Sequence, residues 1–435
     1  MRKRRFKRCL FCPVGLILWL SGGAVELWAQ RSVTLGVHLA NGSQIQLTWQ
    51  SRSVVPAPGR QIFPDYQVHT STDLSNWVPA GERMPGTVGG TNRTFSIARG
   101  ADGMAFFRIE SLIELPEADF IGENLGGADF SSGNLFGAQL FAANLHDANL
   151  RNADFGGADL RFAVLTNADL SGASLFAARV ARADLSFAEM TNADLSFANL
   201  DAARLVAANL RGADLRFCVL KDADLNFASL HETKLDTNTL MDTKWQTVWE
   251  IVNRGAVDRN LQRADLSFSD ISEADLRRAD LRLANLSVSF AVRSDFSGAN
   301  LTGADLRFLD LRLAKFDTNT LVDAKTRLIW QIVNEGVAGR DLHAQNLSDG
   351  VLAEGKLSSA NLTNANFSRS FLNFADLSGA DLTGAILVGA NLNLANLSGA
   401  NLTRANLRDA DITDTDFSGA VFNNTIMPDG KTRSD

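Results

Sequence analysis

Five histidines (His38, His69, His146, His231 and His343), three cysteines and one tyrosine are the side chains best suited to nucleophilic, redox or metal chemistry in the 435-residue sequence. The histidines are scattered, with no two at metal-ligand spacing. Asp residues are plentiful, but they recur at one fixed position of a repeat. No carboxylate pair therefore has the distinctive neighbourhood that general acid–base or glycosidic chemistry requires. The sequence contains no P-loop, no GxGxxG fingerprint and no conspicuous Ser–His pairing. It predicts no catalytic residue, no cofactor and no metal, and any function must come from surface shape.

The elements that carry that surface are set by a five-residue period. From Phe120 an apolar slot recurs every fifth position to Leu240, then from Leu261 to Leu321, then from Leu342 to Phe422. Of 55 slots, 42 are Leu and 8 are Phe; only Val180, Met190, Ile271, Ala291 and Ile412 depart. Such a period fits neither standard element. Five residues of α-helix advance about 500°, so the leucines would wander round the cylinder. In a straight strand an odd period would send successive leucines to opposite faces.

All slots point inward only if the backbone turns about 90° per repeat, so that four repeats close a coil of about twenty residues. The other positions agree. Two residues before most slots stands Ala, as at Ala148, Ala153, Ala158, Ala183 and Ala193, small enough for a second inward site. The residue just before the slot is mostly Asp or Asn, which bond their own backbone in turns. The two following positions are polar and variable. Cys218, standing where its neighbours have Ala, reads as a buried filler.

Units such as "ADLSF", "ANLRN", "ADLRG" and "ANLSG" resemble the pentapeptide-repeat family, over roughly 300 residues. The resemblance implies a right-handed quadrilateral parallel β-helix, a rod of about fourteen coils at about 4.8 Å each. It also implies pairing through the C-terminal coil, for which Phe417, Phe422 and Ile426 are the candidate contacts. The expected fold class is all-β: this solenoid, interrupted by two short α-helical inserts and preceded by a small antiparallel β-sandwich.

The two interruptions are copies of each other at an offset of 81: "DTNTLMDTKWQTVWEIVNRGAVDRNL" matches "DTNTLVDAKTRLIWQIVNEGVAGRDL". Trp245, Val248, Trp249 and Val252 stand at helical spacing, with Asp242 or Thr243 to cap the start and Gly255 the end. Each break is expected to be an amphipathic helix laid on the solenoid wall. Its Trp face either packs on the solenoid or serves as a docking handle.

Residues 1–29 have the layout of a bacterial export signal: Arg2, Lys3, Arg4, Arg5, Lys7 and Arg8, an apolar run from Cys9 to Leu20, then small residues up to Ala24 or Ala29. The run is too short to span a bilayer comfortably. Cleavage would remove Cys9 and Cys12, leaving Cys218 without a disulfide partner in a periplasmic or extracellular chain. Residues 30–113 alternate with period two. The Val33–Leu39 and Ile45–Trp49 runs flank Asn41-Gly42, a hairpin signal, and Tyr66–Val68 and Phe106–Ile109 open further strands. The segments "IQLTW", "YQVHTSTDLSNW" and "FFRI" resemble a fibronectin type III-like module, which implies binding or spacing. The expected order is completed by solenoid segments at 114–240, 261–321 and 342–427, inserts at 241–260 and 322–341, and a disordered tail at 428–435.

Charge narrows the partner. The first 29 residues carry a net +5, the next module about +2, and the chain from Ile113 onward 29 basic against 43 acidic residues. An acidic mature chain disfavours nucleic acid as ligand. Some cytoplasmic pentapeptide-repeat proteins imitate DNA and shield gyrase, but here the basic residues dilute a DNA-like field. Polysaccharide-degrading β-helix enzymes are the other alternative, though their long cleft-building loops are missing. The leading expectation is an exported, non-enzymatic scaffold for an unknown protein partner. Its candidate surface comprises Trp245, Trp249, Trp330, Phe187, Phe197, Phe217 and Phe227, with a C-terminal homodimer as a further expectation.

Overall fold

The structure is a computed structural model describing residues 16–21, 24–28, 35–40, 44–50, 65–71, 78–79, 92–98, 106–112 and 115–435. The N-terminal strands are β1 (Leu16–Ser21), β2 (Ala24–Trp28), β3 (Leu35–Ala40), β4 (Gln44–Gln50), β5 (Asp65–Ser71), β6 (Val78–Pro79), β7 (Asn92–Ala98) and β8 (Phe106–Leu112). They form two antiparallel sheets, ordered β2-β1-β8-β5-β6 and β3-β4-β7. β3 and β4 pair with Leu39 opposite Ile45, as alternation on either side of Asn41-Gly42 predicts. The turn expected at Asn41-Gly42 lies outside the described residues. β1 and β2, within the stretch read as an export signal, pair with each other, and β1 also pairs with β8.

The chain divides into two compact units: Met1–Asp224 with Lys234–Met241, and Leu225–Thr233 with Asp242–Asp435. Both contain stacked coils. Parallel bridges join residues twenty apart, as in the column Asp119, Gln139, Asp159, Arg179, Asn199. The slot N–H donates to the coil above and the residue before it to the coil below, as in Leu140 to Asp159 (2.8 Å) and Asp159 to Ala138 (2.9 Å). Slot leucines and the Ala two positions earlier fill the interior, and most are wholly buried. At about 1.5–3 kcal/mol per fully buried Leu side chain, this stack of identical layers is the main source of stability.

Each coil turns four corners. Except where "DTNT" interrupts the repeat, the second residue after the slot has a positive φ, and the next N–H closes the turn onto the slot carbonyl, as in Ala143 to Leu140 (3.0 Å). That is the hydrogen bond and left-handed residue of a type II turn. The Asp or Asn before the slot prepares it. Its side chain accepts the N–H two residues on, at 3.0 Å in Asp184–Ser186 and 2.9 Å in Asp194–Ser196. The turn role expected of Asp is thus met through an Asx bond across the slot.

The inserts contain α1 (Thr243–Arg254) and α2 (Ala324–Asn334). Asp242 and Gly255 flank α1; Asp323 begins α2, its side chain accepting from Thr326 N–H. Two details differ from the sequence reading. First, Leu240 and Leu321 are not inward slots. They are 58% and 54% exposed, because "DTNT" adds one residue to its corner. Leu321 pairs with Asn300 at an offset of 21, and Leu240 (in β10, Leu240–Met241) pairs with Val219 (in β9, Val219–Leu220). The Asp236 and Asp317 carboxylates make the larger corner possible, accepting Phe217 N–H (3.1 Å) and Gly298 N–H (2.8 Å) in place of a turn carbonyl.

Second, the tail does not trail away. β11 (Thr425–Ile426) and β12 (Thr432–Arg433) form an antiparallel hairpin. Phe422 N–H donates to Asp435 carbonyl (3.0 Å), Asn424 N–H to Ser434 Oγ (2.9 Å), and the Arg433 guanidinium lies 3.7 Å from the Phe422 ring centroid. An apolar terminal coil gains cover by folding its own last residues over it.

Candidate interaction surfaces

The corners decide what each unit shows to its surroundings, because the left-handed residue projects outward. Phe occupies this position at Phe162, Phe187, Phe197, Phe217, Phe227, Phe268, Phe308 and Phe374, with φ between 54° and 62°. A bulky L-residue is strained there, and Gly would not be. The first unit collects aromatics at one corner, after slots Leu135, Leu175, Leu195 and Leu215. Phe197 and Phe217 stack at 4.4 Å with rings 3° apart, and Phe176 meets Phe197 edge-on at 5.5 Å. Phe197 is 52% exposed and Phe217 42%. Phe136 lies lower on this corner, over Gly156, where any Cβ would come within 2.9 Å of the ring. Phe187, 61% exposed, stands alone on another corner.

Phe136 and Phe176 follow their slots by one residue, so a search confined to the second position misses them. Folding the sequence in rows of twenty brings Phe176 beside Phe197. In the second unit, Phe227 is half-buried, meeting Phe268 at 5.9 Å and Phe290 at 5.4 Å. Phe308 and Phe371 repeat the second contact at 5.7 Å, both residues displaced by 81.

The tryptophans are not a surface. Trp245 and Trp249 are buried, and Trp249 Nε1 donates to Thr233 carbonyl at 3.0 Å. Trp330 is half-buried, stacked on Phe316 at 5.2 Å, with Nε1 donating to Ala314 carbonyl at 2.7 Å. The Trp249 and Trp330 indoles thus each take a wall carbonyl that ordinary coils leave to the backbone, so packing is the role both helices adopt. At the C-terminal end, Phe422 is only 3% exposed. Phe417 packs on it at 5.5 Å, and Ile426 belongs to the hairpin. Of the contacts expected for a dimer, Phe422 is covered by Arg433 and Asp435 of the same chain and Ile426 pairs with Thr432, while Phe417 rests on Phe422.

Electrostatics of the walls is dominated by local pairs. Arg161, Arg216, Arg277, Arg307 and Arg312 each fork onto the Asp two residues earlier, at 2.6–2.8 Å. The guanidinium bond holds Asp159, Asp214, Asp275 and Asp305 below the usual carboxylate range. Cys218 is buried; desolvation pushes its thiol up to about 12, and Sγ donates to Leu195 carbonyl.

His146 Nδ1 contacts Thr166 Oγ1 at 2.7 Å and Nε2 lies 2.9 Å from Asp147, on an open corner. His231 is held between Ser229 Oγ and Ser272 carbonyl, and His343 meets Thr363 at 2.8 Å. His38 and His69 lie in β3 and β5. Among the described residues no group of three or more His, Cys, Asp or Glu could hold a metal ion, and no helix is long and apolar enough to cross a membrane.

Comparison with known proteins accords with this architecture. The chain matches the family model for pentapeptide repeats over residues 143–236, 260–317 and 346–427. No curated protein matches. Among solved structures, the chain is similar to HetL of the cyanobacterium Nostoc sp. strain PCC 7120, involved in heterocyst differentiation regulation. That match is 26% identical, covers 74% of this chain and 92% of HetL, and has a TM-score of 0.18. A pentapeptide repeat protein of the Arabidopsis thaliana thylakoid lumen is also 26% identical, over 31% of this chain and 74% of its own, with a TM-score of 0.18. QnrB1, a plasmid-mediated fluoroquinolone resistance protein, is 19% identical over 48% of this chain and 84% of its own, with a TM-score of 0.26. Proteins with these repeats form right-handed quadrilateral β-helices, and with more than half of its length matched by the family model, this chain belongs to the pentapeptide repeat family.

Proposed function

We propose that the chain is an exported, non-enzymatic scaffold that binds a protein partner along the Phe176–Phe197–Phe217 corner of its first unit. The carrying observation is the ladder itself: exposed, mutually stacked aromatics, two of them at left-handed positions that Gly would occupy without strain. Exposed apolar patches of this kind mark interaction sites, and aromatics dominate the centres of protein interfaces. The acidic walls offer poor support for DNA mimicry, since several of their carboxylates are bonded within the repeat to Arg.

The test uses the full chain expressed with its N-terminal region, and the triple variant Phe176→Ser, Phe197→Ser, Phe217→Ser, as bait against envelope extract. A partner retained by the parent and lost by a folded triple variant supports the reading; equal retention overturns it. Inhibition of gyrase supercoiling would favour the DNA-mimic alternative, and turnover on a polysaccharide panel the enzymatic one. Sedimentation separates a monomer from the homodimer, which would require the tail to leave Phe422. Sequencing the N-terminus of exported protein tests the signal: a start at Gln30 supports cleavage after Ala29, and an intact Met1 excludes it.

A further inference from the structure

We infer that the second helical insert is a wedge-and-hinge, about which the coil stacks on either side of it rock through one shared corner. The second insert, which lies wholly within the second unit, carries the argument. Between ordinary coils every wall is laddered. Leu286 N–H donates to Asp305 carbonyl, Ala291 to Asp310, and Leu347 to Asn366. Between the coil at 306–311 and the coil at 347–352 this pattern fails. Leu306, Leu311, Asn346 and Val351 make none of the ladder bonds their positions make elsewhere, and no bridge joins residues 305 and 310 to 346 and 351. One backbone bond remains, Phe308 N–H to Asp349 carbonyl at 2.8 Å, on a corner.

α2 occupies the side away from that corner. Downward, Trp330 bonds Ala314 carbonyl, Asn334 bonds Leu311 carbonyl (3.0 Å) and receives Leu313 N–H, and Arg327 bonds Asp317 carbonyl (3.1 Å). Upward, Ile332 carbonyl receives Lys356 N–H (3.3 Å), and Ile329 and Ile332 press on Gly350 and Gly355, where a Cβ would come within 2.8 and 3.0 Å of them. The isoleucines join the core that continues to Phe422. A helix about 10 Å thick thus separates coils that elsewhere lie about 4.8 Å apart, while one corner stays closed.

The first insert has the same construction 81 residues earlier: Phe227 N–H to Phe268 carbonyl (2.7 Å) at the corner, Trp249 on Thr233, Asn253 on Leu230. A segment held by side-chain bonds and one backbone bond opens at lower free energy than a laddered wall. The second insert is therefore a hinge within the second unit, closed at the corner where Phe308 meets Asp349.

The test is a set of spin-label distances in the full chain, each pair two coils apart: Arg307→Cys with Ser368→Cys near the closed corner, Lys315→Cys with Lys356→Cys across the helix, and Asp376→Cys with Asp416→Cys as the control within one stack, all in a Cys9→Ser, Cys12→Ser, Cys218→Ala background. The corner pair should match the control. The pair across the helix should be longer by about 5 Å, the difference between helix thickness and coil spacing, and its distribution broader. Trp330→Ala should broaden it further without moving the corner pair. Equal means in all three pairs would remove the wedge, and a distribution across the helix as narrow as the control would remove the hinge. Should Trp330→Ala misfold, hydrogen exchange of the parent keeps the test. Leu306 and Val351 amides should exchange about 100-fold or more faster than those of Leu286 and Leu372, and comparable protection would overturn the inference.

Discussion

The stack above α2 and the insert that begins it solve one problem, closing a backbone around a dry interior, in opposite ways. From Leu357 to Leu407 every layer repeats: a buried slot, a small residue two positions before it (Ala except at Gly355 and Ser370), a ladder bond up and another down. The insert repeats nothing within itself. Asn334 alone gives its amide N–H to Leu311 and Trp330 carbonyls and its Oδ1 to Leu313 N–H. The lesson is that redundancy resides in the coils and individuality in the inserts, so mutations should differ in kind between them.

The largest effect belongs to the coils. Leu382 is fully buried among identical layers, and Leu382→Ala should destabilise the second unit by about 2–5 kcal/mol, the cost of lost burial and the cavity left behind. The same change at Leu392 should cost about as much, and urea unfolding checks both. Costs differing several-fold between two such layers would break the claim of equivalence.

Next come the inserts. Asn334→Ala leaves the half-buried Leu311 carbonyl without its side-chain partner, at about 1–3 kcal/mol, and Asn253→Ala should fall in the same range through Leu230. A ladder Asn such as Asn401, half-buried and bonded to Asp381 at 3.3 Å, should lose under about 1 kcal/mol when changed to Ala. Urea titration that ranks Asn401→Ala above Asn334→Ala would reverse the comparison.

Corner aromatics should behave unlike either. Phe187→Gly removes an exposed ring from a left-handed residue at φ 61°, and relief of that strain should raise stability by about 1 kcal/mol. Phe197→Gly gains the same relief but loses the stack on Phe217, worth about 0.5–1.5 kcal/mol, and should come out near neutral. Thermal melts that find both strongly destabilising would mean the rings support the coils rather than face a partner.

The contrast also explains how much was legible in the sequence. Slots at five-residue intervals admit one geometry, so the interior from Leu125 to Leu407 could be named residue by residue. The departures occur where one residue outvotes the period: Asp317 enlarging a corner and turning Leu321 outward, or Arg433 bringing the tail over Phe422. The spacing of Trp245 and Trp249 shows that they share a helix face. It does not say that Thr233 carbonyl waits for one of them. Surface assignment was less complete, because Phe176 and Phe197 meet only once the chain is wrapped in twenties.

The smallest effect is acid sensitivity, and its sign follows from the Arg forks. Asp159, Asp214, Asp275 and Asp305 have folded pKa values below the unfolded value, near 3.8, chiefly because each accepts an Arg hydrogen bond. A carboxylate lowered on folding contributes stability that is present above its unfolded pKa and is lost as pH falls through the folded one. The coils should therefore be unaffected between pH 8 and 5 on this account and weaken progressively below about pH 4. The forks sit at the surface, where such pairs contribute little each, so the loss should be shallow and reduced by salt. Replacing Arg161, Arg216 and Arg277 by Gln should flatten the acid limb while leaving neutral stability almost unchanged. An acid limb of the same steepness in that variant would assign the loss to the Asx bonds of the corners, which every coil has, and not to the forks, which only some have.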